Sequence, residues 1–173
     1  GLDSQTIANI SNFAGGLVDL GIKRGDHIGL ISDNRKEWFQ ADMGLMAIGA
    51  IDVPRGCDAT EHDLRYILSF AECKTVIVEN SNQIKKIMNL KADLPLLQRF
   101  ICFEDVKEDV LLQLKENNIT FLTFAQVVEK GKDFNKANPD FVENEISKGE
   151  GSELACIIFT SGTTGEPKGV MLS

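Results

Sequence analysis

The sequence predicts an α/β fold in which a mostly parallel sheet is covered by helices on both faces, a three-layer sandwich. Three observations lead there. Apolar runs of strand length alternate with longer runs that carry apolar residues at helical spacing. The connections are short, and strand and helix in turn is the pattern of crossover units. The strand-like runs HIGLIS, KTVIVE and RFICFE are apolar on consecutive positions, as suits strands buried in a parallel sheet.

The elements follow in order. In DSQTIANISNFAGGLVDLG, residues Ile7, Ile10, Phe13, Ala14, Leu17 and Val18 form one stripe and Gly21 ends the helix. HIGLIS is the first strand. DNRKEWFQADMGLMAIGA offers Asp33 or Asn34 as an N-cap and continues as a helix that places Trp38, beside Phe39, in the core. IDVP is a short strand closed by Pro54. TEHDLRYILSFAE is a helix with Thr60 as cap and Asp63 completing a capping box. KTVIVE is a strand, NSNQIKKIMNLKADL a helix, RFICFE a strand and VKEDVLLQLKENN a helix. ITFLTF reads as a strand, FAQVVEKGK and DFVENEIS as helices, and ELACIIFT as a strongly apolar final strand. The least patterned stretch runs from Lys130 to Gly151. The charges along IKKIMNLK and VKEDVLLQLKE lie opposite an apolar stripe and read as solvated faces.

With 173 residues the chain is long enough for one domain with a sizeable core. A formal charge of −8 argues against a general nucleic-acid binder, which carries a basic patch. It leaves room for an anionic ligand, because backbone amides hold phosphate without net positive charge. No apolar run approaches the ~20 residues of a membrane span. No basic-then-apolar leader opens the sequence, so secretion is not indicated. Cys57, Cys73, Cys102 and Cys156 are far apart, with no C-x-x-C pair, and read as free thiols in a reducing compartment. His27, at the start of a strand, and His62, in the first turn of a helix, read as structural.

The chemistry concentrates in FTSGTTGEPKGVMLS, Phe159 to Ser173. A buried strand delivers the chain to a sheet edge. Gly162, Gly165 and Gly169 then remove side-chain bulk, so that successive amides can face one concavity. Thr160, Ser161, Thr163 and Thr164 add hydroxyls, which serve anions and also hard metal ions. Lys168 adds a point charge, and Pro167 limits where it swings. These are the parts of a polyphosphate cradle, at the strand end where α/β sheets bind ligands. The run matches neither the Walker A pattern, since Pro167 precedes the lysine, nor G-x-G-x-x-G.

Unbroken from Thr160 to Gly169, this run resembles the phosphate-loop signature of the AMP-forming acyl-CoA synthetases and other adenylate-forming enzymes, with Phe159 where the family commonly has tyrosine. FAGGLVDLGIKRGDHIGLISDNRKEWFQADMGLMAIGAIDVP is similar to that family's amino-terminal region, and GAIDVPRGCDATEHDLRYIL to bacterial long-chain fatty acid–CoA ligases. The resemblance implies that residues 1–173 are part of the large amino-terminal AMP-binding domain, ending in the phosphate loop at 160–169. It implies activation of a fatty acid by ATP to acyl-AMP and pyrophosphate, followed by transfer to coenzyme A. Thr160, Ser161, Gly162, Thr163, Thr164 and Gly165 would hold the β- and γ-phosphates, Thr164 would contact magnesium, Lys168 would neutralise phosphate charge, and Glu166 would face solvent. The family's adenine-binding segment, metal-binding glutamate and carboxy-terminal catalytic lysine lie beyond such a loop, so this piece by itself is expected to be inactive. Fatty acid, ATP and CoA are the implied partners. The implied location is the cytoplasm, with peripheral association at the inner membrane face open to the longer protein. Aryl-CoA ligases, amino-acid adenylation domains, luciferase-like oxidases and non-catalytic nucleotide sensors share the loop and remain alternatives.

Overall fold

Parallel strands organise the chain. In the computed structural model, which describes residues 2–149, five strands form one sheet in the order β2-β1-β3-β4-β5, and every neighbouring pair is parallel. They are β1 (His27–Ile31), β2 (Ile51–Arg55), β3 (Thr75–Val78), β4 (Arg99–Cys102) and β5 (Thr120–Thr123). The helices are α1 (Ser4–Asp19), α2 (Lys36–Ala47), α3 (Glu61–Phe70), α4 (Ser81–Met88), α5 (Glu108–Glu116), α6 (Phe124–Ala137) and α7 (Phe141–Lys148). The expected α/β class, a parallel sheet flanked by helices, is therefore what forms. The expected strand ELACIIFT and the loop after it lie outside the described residues.

The chain divides into two compact units. Residues 26–38 and 51–125 hold the whole sheet together with α3, α4 and α5. Ile31, Val76, Val78, Phe100 and Cys102 pack with Leu64 and Leu68 of α3, Ile84 and Ile87 of α4, and Val110 and Leu114 of α5 in one buried cluster. Ile28, Leu30, Ile77 and Ile101, which alternate with them along the strands, are buried too, which explains why the strand runs are apolar throughout. Gly29 lets α3 approach β1: a Cβ there would lie 2.9 Å from Leu68 Cδ2 and 3.0 Å from Val76 Cγ1.

The capping box of α3 forms as expected. Asp63 N–H donates to Thr60 Oγ1 at 3.1 Å and Thr60 N–H donates to Asp63 Oδ2 at 3.2 Å. Thr60→Ala is expected to lower unfolding stability by about 1 kcal/mol, read from the urea midpoint. The hydrogen bonds from the Thr60 amide and hydroxyl, helped by Arg55, hold the Asp63 carboxyl below its ordinary 3.8. A depressed folded pKa means that this contribution is complete above the unfolded value and is lost as pH falls through the folded one. Asp63→Asn is accordingly expected to flatten the acid limb of a stability–pH curve below about pH 4 while leaving the slope at neutral pH unchanged.

Several element boundaries differ from expectation: α2 begins only at Lys36, beyond the expected caps Asp33 and Asn34, β2 runs through Pro54 to Arg55, and two helices depart further. The helix begun at Asn80 ends at Met88, and a 3-10 turn over Lys91–Asp93 follows, in place of one helix through Leu94. Pro95 disfavours the α conformation of the residue before it, and the tightened path still buries Leu90, Leu94 and Leu97. The helix from Phe124 continues to Ala137, five residues beyond the polar run where it was expected to stop at Lys132.

The cause of that extension lies in the second unit, the described part of residues 1–25, 39–50 and 126–173. There Asn135 Nδ2 donates to Ser11 O at 3.1 Å and to Asn12 Oδ1 at 3.2 Å, so tertiary contact with α1 overrides a polar local sequence. α1 is capped by Asp3, whose Oδ1 accepts from Thr6 N–H at 2.7 Å, and buries Ile7, Ile10, Phe13 and Leu17 completely. Gly21, at φ +92°, takes the left-handed turn that ends it. Phe134 and Phe141 meet edge to face at 5.4 Å, joining α6 to α7.

Candidate functional site

The residues expected to bind phosphate, Thr160, Ser161, Gly162, Thr163, Thr164, Gly165 and Lys168, lie outside the described residues, as does Cys156. Among the described residues, polar chemistry gathers at the carboxyl edge of the sheet, where parallel α/β sheets place ligands. Register builds it. Ile31 pairs with Arg55 on one side and Val78 on the other, and Val78 with Cys102, so the residues just after β1, β2, β3 and β4 stand side by side.

Glu79, immediately after β3, accepts from Ser32 Oγ at 3.0 Å and from Asp33 N–H at 3.2 Å. Asp33 Oδ1 accepts from Cys57 N–H at 2.9 Å. From α4, Lys86 Nζ donates to the carbonyls of Cys57 at 2.8 Å and Ala59 at 2.7 Å, clamping the turn after β2. Arg35 links the remaining acids. It donates to Glu37 at 2.9 Å and Glu104 at 2.6 Å, stands 3.9 Å from Glu79, and lies over the Phe103 ring at 5.9 Å.

The electrostatics follow. The hydrogen bond to Glu104, then that to Glu37, raises the Arg35 guanidinium above its ordinary value. Burial works to raise the Glu37 carboxyl, but the hydrogen bond from Arg35 and its charge outweigh burial and lower it. Burial, reinforced by Glu79, pushes the Cys57 thiol to about 11, and burial does the same for Cys73 and Cys102. None of these thiols is an activated nucleophile at neutral pH. The reading of Cys73 and Cys102 as buried free thiols holds, and Cys57 is free and half-buried.

A cavity of about 600 Å³ opens beside this cluster, lined by Ser32, Asp33, Asn34, Trp38, Pro54, Arg55 and Gly56. Trp38, expected in the core, is half-buried and forms part of this wall. Arg55 is paired with Asp63 at 3.2 Å. His27 keeps a structural place, with Nδ1 2.9 Å from Ala71 O, and His62 is exposed on α3. Sequence reading gave Asp33 only as a candidate helix cap and passed over Glu79 and Glu104. The available signal was an acid standing at, or just after, the end of three of the apolar strand runs.

These observations meet what comparison with known proteins finds. The model of the AMP-binding enzyme family matches residues 4–173, and the chain belongs to that family. It is 32% identical over 160 residues to a long-chain-fatty-acid–CoA ligase of Xenopus laevis, covering 92% of this chain and 20% of that protein. It is 32% identical over 175 residues to a chloroplastic long-chain-fatty-acid–[acyl-carrier-protein] ligase of Arabidopsis thaliana, covering 98% of this chain and 23% of that one. The chain thus spans between a fifth and a quarter of the length of these curated relatives. In structure it is similar to the adenylation and carrier didomain of carboxylic acid reductase from Segniliparus rugosus in complex with AMP, with a TM-score of 0.65 at 16% identity over 73% of this chain and 19% of that one. At that identity the likeness concerns the fold, and the fold is that of adenylate-forming enzymes. Among the described residues no helix is long and apolar enough to cross a membrane.

Proposed function

We propose that this chain is part of an ATP-dependent, AMP-forming ligase that activates long-chain fatty acids. The observation that carries the reading is the unbroken run from Thr160 to Gly169, inside a chain whose fatty-acid ligase relatives reach 32% identity. The first half-reaction brings a carboxylate to the α-phosphate of ATP, so like charges must approach. Holding and neutralising the polyphosphate is therefore the main demand on the loop. Amides and hydroxyls of Thr160, Ser161, Gly162, Thr163, Thr164 and Gly165 bind the β- and γ-phosphates, and Lys168 offsets their charge as pyrophosphate leaves. Magnesium, when bound, shields the same oxygens, and the Thr164 hydroxyl is the hard donor such an ion takes. A thiol then displaces AMP.

Coenzyme A is the proposed thiol. A second reading, a thiol carried on an acyl carrier protein, draws on the equal 32% identity to a ligase of that acceptor. Because the matched relatives are four to five times longer, we propose that these 173 residues do not catalyse by themselves. On the same reading the longer protein works in the cytoplasm.

Pyrophosphate exchange into ATP by the full-length protein, measured across straight-chain, aryl and amino acids, tests the proposal. Exchange is expected only with fatty acids and to rise with chain length. Exchange driven by aryl or amino acids would move the protein to another branch of the family, and no exchange with any acid would make it a sensor.

A further inference from the structure

We draw no further inference here: the strongest candidate, the apolar cleft of about 270 Å³ at the amino edge of the sheet, lined by Leu68, Cys73, Leu94 and Leu97 and bordered by the helix that exposes Tyr66 and Phe70, carries nothing, because nothing in the structure shows what covers it.

Discussion

Lys168→Ala in the full-length protein is expected, on the proposed function, to slow acyl-adenylate formation about a hundredfold, equivalent to about 2.7 kcal/mol of transition-state stabilisation. The magnitude is that of removing one preorganised charge or donor from a developing anion, typically 10²–10³ in rate. On the proposed reading the lysine sits against phosphate oxygens whose charge grows as pyrophosphate departs, so its loss should fall on kcat more than on the KM for ATP. The melting temperature should hold, because a side chain whose partner is a ligand carries little of the unliganded fold. Lys168→Arg keeps the charge but exchanges a compact ammonium for a broad planar fork behind Pro167, and should recover only part of the rate. Single-turnover formation of acyl-AMP is the measurement. An unchanged rate in Lys168→Ala would remove the lysine from the mechanism.

That prediction was available from sequence because the loop is contiguous: its glycines, hydroxyls, proline and lysine fall within ten positions and are legible as one device. The strands were legible for a related reason. A strand in a parallel sheet is buried on both faces, so its run is apolar throughout and stands out from amphipathic helices. The cluster at the carboxyl edge was not legible. Glu79 meets Asp33 across 46 residues and Cys57 meets Asp33 across 24, and only the strand register brings them together. Trp38 was misplaced because an aromatic residue in a helix reads as core, whereas here it stands at the start of α2, where the chain leaves the sheet edge. The end of α6 was misjudged because its stability comes from α1, more than a hundred residues earlier, and not from its own composition.

The contact between α6 and α1 carries the second large expectation, which inverts the usual rule for helices. Gly131 lies inside α6, where alanine is intrinsically favoured by about 1 kcal/mol. Taken alone, that term says Gly131→Ala should stabilise. But a Cβ at 131 would run into the carbonyl group of Asn12 and lie 2.8 Å from Gly16 N, while a Cβ at Gly16 would run into the carbonyl oxygen of Val127. The two helices meet backbone to backbone through small residues, and the obstructing atoms are main chain, which cannot rotate aside as a side-chain end can. Relief requires the helices to separate, which loosens the buried stripe Ile10, Phe13 and Leu17 on α1 and Val127 on α6. Overpacking of this kind costs typically 1–3 kcal/mol and sometimes more, and a clash with a rigid backbone belongs at the upper end. The net expectation for Gly131→Ala is therefore a loss of about 2 kcal/mol or more after the propensity gain is subtracted. Gly21→Ala is the useful comparison: it meets no neighbour within 4 Å, and its penalty arises only from φ +92°. Urea midpoints separate the two mechanisms when the helix is examined alone as well. In a peptide spanning α6, Gly131→Ala should increase helicity, whereas in the protein it should lower stability. A stabilised protein would mean that α1 and α6 do not approach this closely in solution.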